Sequence, residues 1–133
     1  MPDSFELGLV LWTTDIDALS RFLATVAGMK VEAHHPGFAS LCIDGARISL
    51  HNDEAYRGHP WYEALAHEGV ARGIGAEIRF RVGDVDRAYS DALRLGGLAI
   101  EAPCDVDGTR ECQVMGPDGY LLSLWQPQAI ELS

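Results

Sequence analysis

The sequence has few cysteines, few basic residues and no long apolar run. Three cysteines occur in 133 residues, without a C-x-x-C pair, which argues against a disulfide framework and a zinc–thiolate site. The longest apolar runs are much shorter than a membrane span. Residues 1–6 lack a basic region followed by an apolar stretch. We therefore expect no signal peptide, and a cytoplasmic location with reduced thiols.

Basic side chains are also scarce. Ten Lys and Arg residues stand against 20 Asp and Glu residues, which gives a formal net charge of −10. Such an acidic chain is expected to repel nucleic acid and anionic membranes at long range, so neither nucleic acid nor a membrane is predicted as a partner. The charge either serves solubility alone or attracts a cationic small molecule or a basic partner. The G-x-S-x-G, P-loop and G-x-G-x-x-G motifs are absent, so hydrolase, nucleotide and dinucleotide functions lack support.

What the chain does have is an internal repeat. Apolar residues make up 47 % of the sequence, which is enough for a core in a single domain over residues 1–133. Asp15 and Asp84 each precede a helical apolar pattern, and Gly28 and Gly97 end the two patterns. Strands are predicted before and after each helix, at 7–13, 30–34, 38–43 and 47–51 in the first half and at 76–82, 98–101, 110–115 and 120–126 in the second, with a loop at 103–108.

The two halves therefore share one order of elements: strand, helix and three strands. We predict an α+β fold of two tandem β-α-β-β-β units at 5–52 and 75–127. The connection at 53–74 is polar and glycine-rich, with a short helix over 61–67, and a lid is one role that we consider for it.

The closing segment carries a family resemblance. An Arg110-bearing strand runs into the turn Gly116-Pro117-Asp118-Gly119, and the last strand ends in Leu124-Trp125-Gln126. With the repeat and the opening segment 10–17, this resembles the vicinal oxygen chelate family of glyoxalases, bleomycin resistance proteins and extradiol dioxygenases. The resemblance covers 7–127 and implies curved mixed sheets around a cup, commonly completed across a homodimer.

Enzymes of that family bind one divalent metal through His, Glu or Gln on the first and fourth strands of each unit. The corresponding positions here are Gly8, Ser49, Glu77 and Ser123. Glycine has no donor atom in its side chain, and serine hydroxyls are poor ligands beside carboxylate or imidazole. One carboxylate cannot hold a catalytic ion. No metal, no cofactor and no catalytic residue is therefore predicted.

Strand alternation places further side chains on the same face of the cup. Trp12 and Trp125 would stack on a planar or cationic ligand, or else serve as core or interface aromatics. Glu77 would contact the ligand or pair with Arg79 or Arg47, and His51 would be a ligand, a general base or a solvated strand end. The predicted ligand-binding residues are Trp12, Arg47, Ser49, His51, Glu77, Arg79, Glu111, Gln113, Ser123 and Trp125.

Three functions follow from this set. The favoured one is a metal-free small-molecule binding protein, similar to the bleomycin resistance branch, that sequesters a cationic or aromatic compound; a drug, a metabolite and a siderophore-like compound all fit. The alternative is a divalent-metal-dependent lyase, isomerase or dioxygenase with a displaced ligand set, in which Glu77 and His51 converge with Glu111 or Gln113. The third is a structural or regulatory remnant without a small ligand.

Overall fold

A computed structural model describes residues 7–128. Its strands form two four-stranded sheets, and its three helices comprise one in each repeat unit and one in the connection. The strands are β1 (Gly8–Thr13), β2 (Lys30–His35), β3 (Phe38–Ile43), β4 (Ala46–Asn52), β5 (Ile78–Arg81), β6 (Leu98–Val106), β7 (Thr109–Met115) and β8 (Leu121–Pro127). The helices are α1 (Ile16–Ala27), α2 (Pro60–His67) and α3 (Val85–Arg94).

The sheet topology confirms the two tandem β-α-β-β-β units. The strand orders are β1-β4-β3-β2 and β5-β8-β7-β6, and in each sheet the first and last strands of the unit pair in parallel. The registers agree as well. Leu9, which follows Gly8, lies opposite Ile48, and Ile78, which follows the corresponding Glu77, lies opposite Leu122. Ile48 and Leu122 precede the corresponding serines of the two units. A side chain in one unit therefore has a definite counterpart in the other.

The helix ends follow the predicted capping. The Asp15 side chain accepts a hydrogen bond from the Ala18 amide at the start of α1, and the Asp84 side chain accepts one from the Arg87 amide at the start of α3. Helix α1 ends at Gly28, whose φ of 76° is left-handed. The helices of the described chain fall short of the length and apolarity that a membrane span requires.

The core lies between the helices and one face of each sheet. Helices α1 and α3 contact each other, and α1 contributes Leu19, Phe22 and Leu23, which are buried almost completely. Leu122 and Leu124 of β8 are fully buried on the side of the helices. Alternation along the strand then directs the intervening positions to the opposite, more polar face.

The second unit differs from the sequence prediction at β6. This strand continues to Val106, where a strand over 98–101 and a loop over 103–108 were expected. Among the strands of residues 7–128, β6 pairs with β7 alone, and the pairing register shifts between Glu101 and Cys104, which flank Pro103. An edge strand with a bulge tolerates proline, because the missing N–H faces solvent. The reversal itself occupies only Asp107 and Gly108, both with positive φ.

Candidate functional site

The predicted ligand-binding residues divide between the two sheets. Four of them lie on strands of the first sheet, where Trp12 pairs with His51 and Val10 pairs with Ser49. The other six belong to the second sheet or directly precede it. Those on the first sheet are Trp12, Arg47, Ser49 and His51; those of the second are Glu77, Arg79, Glu111, Gln113, Ser123 and Trp125.

The second sheet brings five of these residues together: three lie around a guanidinium nitrogen of Arg79, and Gln113 contacts one of the three. Arg79 Nη1 donates a hydrogen bond to Ser123 Oγ at 3.1 Å, and it lies 3.5 Å from Glu111 Oε1 and 3.7 Å from Glu77 Oε2. Gln113 Nε2 donates to Glu77 Oε2 at 3.2 Å. We call these five residues the Arg79 cluster. Its serine is buried, whereas its charged side chains are partly exposed.

The Arg79 cluster bears on the metal site that the family resemblance implies. Of the four implied ligand positions, Gly8 has no donor atom, and both Glu77 and Ser123 interact with the guanidinium of Arg79. Within residues 7–128, no three His, Cys, Asp or Glu side chains are grouped as a metal ion would require. The side chains present therefore do not fit the family's metal.

A second group of residues surrounds Trp12 on the first sheet. The Trp12 ring is stacked on Tyr56 at 3.6 Å between centroids with an interplanar angle of 8°, and it contacts the rings of His59 and Trp61. We call these four residues the aromatic cluster. The Tyr56 hydroxyl is also hydrogen-bonded to His51 Nδ1 at 2.8 Å, and burial raises the pKa of Tyr56.

Three members of the aromatic cluster belong to the connection, and the sequence prediction missed them. The available signal was a run of ring-bearing residues, since Tyr56, His59, Trp61 and Tyr62 occur within seven positions of a segment interpreted as polar. The predicted short helix is confirmed as α2, beginning at Pro60. His59 caps this helix, because its Nδ1 accepts a hydrogen bond from the Trp61 amide at 3.0 Å.

Arg72 fastens the end of the connection to β1. Its guanidinium donates two hydrogen bonds to Asp53, at 2.7 and 2.5 Å, and one to the backbone carbonyl of Trp12 at 2.9 Å. The hydrogen bond to Asp53 raises the pKa of Arg72. The Tyr120 hydroxyl donates to the same Trp12 carbonyl at 2.6 Å, and burial raises the pKa of Tyr120. The connection and the second unit thus meet at one backbone atom of β1.

An apolar pocket lies between β1 and the connection. Its volume is about 470 Å³, within the range of about 300–1,000 Å³ that small-molecule sites occupy. Several of its apolar side chains are notably exposed: Trp61 is 64 % exposed and Ile74 is 82 % exposed. The residues that give the pocket its character are Val10, Trp12, Trp61, Val70, Ile74 and Tyr120. We call this space the β1 pocket.

The remaining predicted residues lie outside the β1 pocket. Arg47 forms an ion pair with Glu32 at 3.1 Å, and it lines a groove of about 390 Å³ together with Arg79. Trp125 of β8 lies under the guanidinium of Arg81, 5.5 Å from the ring centroid, a cation–π arrangement. Thus, among the predicted residues, Trp12 lines an apolar pocket, whereas the carboxylates of Glu77 and Glu111 have polar partners in the Arg79 cluster.

Comparison with known proteins places the fold. No protein-family model and no curated protein matches the chain. Among solved structures, a glyoxalase/bleomycin resistance protein/dioxygenase family enzyme from Burkholderia phytofirmans PsJN superposes with a TM-score of 0.73 at 22 % identity, covering 93 % of this chain and 99 % of that one. A glyoxalase/bleomycin resistance protein/dioxygenase from Nocardioides gives 0.65 at 22 % identity, with 98 % and 90 % covered.

A third structure, TioX from Micromonospora sp. ML1, gives a TM-score of 0.65 at 19 % identity, covering 93 % of this chain and 99 % of that one. The likeness extends over nearly the whole of each chain. The chain has the fold of the glyoxalase/bleomycin resistance/dioxygenase proteins, which confirms, at the level of the fold, the family resemblance of the sequence.

Proposed function

We propose that this protein binds a planar aromatic or cationic small molecule without a metal, as a binding protein of the glyoxalase/bleomycin resistance type. The observation that carries the proposal is the β1 pocket, with its volume of about 470 Å³. It combines apolar walls with the indole rings of Trp12 and Trp61. Aromatic rings of this kind stack on planar ligands and attract cations.

The charge of the chain supports a cationic ligand in particular. A formal net charge of −10 attracts cations at long range and raises their local concentration. The exposed ring of Trp61 is then available for a cation–π contact at the entrance of the pocket. The net negative charge and the exposed Trp61 ring therefore both favour a cationic ligand.

The donor set supports binding without a metal. Gly8 offers no ligand atom, and the two carboxylates of the Arg79 cluster interact with a cationic side chain. The alternative, a divalent-metal-dependent lyase, isomerase or dioxygenase, needs His51 to converge with Glu77 and with Glu111 or Gln113. In this chain His51 is hydrogen-bonded to Tyr56 beside the first sheet, whereas the carboxylates surround Arg79 at the second.

Association into a homodimer is part of the proposal. Val10 and Ile74 line the same pocket and are 48 % and 82 % exposed. Contiguous exposed apolar surface favours burial against a partner, and twofold dimers are the commonest oligomers. A second copy placed there would also narrow the mouth of the β1 pocket, to which Val10 and Ile74 contribute.

Isothermal titration calorimetry with acridine orange, a planar cationic dye, tests the proposal. We expect saturable binding by the wild type and an affinity about 10-fold lower for Trp61→Ala, the loss of one aromatic contact. Trp125→Phe is the matched control and is expected to bind like the wild type, because Trp125 lies outside the pocket. Absence of saturable binding, or equal affinities of the wild type and Trp61→Ala, would contradict the proposal.

A further inference from the structure

The two repeat units differ sharply at the positions of the Arg79 cluster. The pairing registers identify the first-unit counterparts. Ser49 and Ser123 occupy corresponding positions on the last strands. Val10 lies opposite Ser49, and Arg79 lies opposite Ser123, so Val10 corresponds to Arg79. Likewise Phe38 corresponds to Glu111 and Ser40 to Gln113. The first unit thus has no charged side chain at these positions. The carboxylates and the arginine occur together, in one unit only.

Within the second unit, three side-chain oxygen atoms lie near a single nitrogen. Arg79 Nη1 lies 3.1 to 3.7 Å from one oxygen each of Ser123, Glu111 and Glu77. Two carboxylates close together repel each other unless a cation lies between them. The guanidinium supplies that cation from within the chain.

We propose that Arg79 is the residue that keeps the second unit free of divalent metal, and that its removal uncovers a site built from Glu77, Glu111 and Ser123. This inference rests on the metal-free function proposed above and gives it a cause. A hard divalent cation would occupy the position of the guanidinium and bind the same oxygen atoms. While Arg79 is present, a metal ion must displace its guanidinium group, which cannot diffuse away because Arg79 is part of β5.

The geometry permits the carboxylates to rearrange once Arg79 is removed. Metal–oxygen bonds are about 2.0–2.6 Å long, shorter than the present distances to Arg79 Nη1. The Glu77 and Glu111 side chains are 35 % and 25 % exposed, so they are not locked by packing. Arg79 itself is 49 % exposed. Its replacement by alanine is therefore expected to leave the fold intact.

The test is Mn²⁺ binding followed by electron paramagnetic resonance of the free ion. We expect no binding by the wild type below millimolar Mn²⁺. Arg79→Ala should bind Mn²⁺ at least 10-fold more tightly, and the second substitution Glu77→Gln should abolish the gain. Arg79→Lys, which retains the positive charge, should behave like the wild type. Arg81→Ala is the matched control, an arginine on the same strand whose guanidinium lies over Trp125.

The outcomes separate the two proposals. Stoichiometric Mn²⁺ on the wild type would overturn the metal-free function and this inference together. A folded Arg79→Ala protein, verified by circular dichroism, that binds no more tightly than the wild type would overturn this inference and leave the metal-free function standing. If alanine prevents folding, Arg79→Gln serves in its place under the same criterion.

Discussion

The carboxylate of Asp118 accepts a hydrogen bond from the hydroxyl of Thr13 at 2.5 Å, across 105 positions of sequence. It also accepts from the amide and the hydroxyl of Thr14, at 3.1 and 2.8 Å. Asp118 occupies the turn between β7 and β8 with a φ of 61°, and Thr13, at the end of β1, is fully buried. The closing hairpin of the second unit is thus attached to the first strand of the first unit.

Replacing Asp118 with alanine is expected to lower the free energy of unfolding by about 3 kcal/mol. A buried hydrogen bond to a charged group, such as that from Thr13, contributes about 1.5–3 kcal/mol. The two hydrogen bonds from Thr14 are exposed to solvent and add little, and alanine is disfavoured at positive φ. Asp107→Ala is the matched control, since Asp107 is an exposed turn residue with a φ of 44°. It should show only the backbone cost, about 1 kcal/mol. Urea unfolding measures both, and equal losses would contradict the role of Asp118 as a link.

Local signals were sufficient to predict much of this fold. The caps at Asp15 and Asp84 and the Pro-Asp-Gly turn depend on neighbouring residues, so a single sequence reveals them. The partners of Asp118 could not be inferred in the same way. Thr13 and Thr14 lie more than 100 positions away, and nothing in their local sequence indicates a turn of the other unit.

The site was predicted less completely, for a related reason. Strand alternation identified the members of the Arg79 cluster, because they belong to regular strands or directly precede one. The connection has no such period, so its contribution of Tyr56, Trp61 and Arg72 was not foreseen. The ligand-binding role assigned to the ten residues remains a prediction. The regular spacing of a strand shows which residues share a face, whereas the side-chain positions of an irregular segment follow only from its three-dimensional structure.

Arg72→Met is expected to loosen the connection from β1. Arg72 and Asp53 are 9 % and 14 % exposed, and removing one member of a buried ion pair costs about 3–5 kcal/mol, because the other charge is left unpaired. Hydrogen exchange measured by mass spectrometry should show faster exchange over residues 53–75. Urea unfolding should show the corresponding loss of stability.

Arg57→Met is the control for this prediction, because Arg57 lies in the same segment and pairs with Glu54. Those side chains are 75 % and 57 % exposed, and exposed ion pairs contribute little to stability. We expect exchange over 53–75 to remain at the wild-type rate in this variant. If Arg57→Met and Arg72→Met accelerate exchange equally, the anchoring role of Arg72 is wrong.

Gly116→Ala is expected to lower the melting temperature through the contact between the units. A Cβ atom at this position would lie 2.9 Å from Cε1 and 3.1 Å from Cδ1 of Phe22. The Phe22 ring of α1 is only 1 % exposed, so it has little room to move. Overpacking of this kind costs about 1–3 kcal/mol. The φ of Gly116 is −92°, so the loss would report the steric contact, not backbone strain.

Gly37→Ala provides the comparison, because a Cβ atom there meets nothing within 4 Å and glycine-to-alanine changes at compatible positions are neutral or slightly stabilising. Differential scanning fluorimetry should therefore separate the two variants by several degrees. Gly116→Ala should lower the melting temperature less in a Phe22→Leu background than in the wild type, since the smaller leucine leaves space for the new methyl group. Additive losses in that pair would mean that Gly116 is constrained by something other than the Phe22 ring.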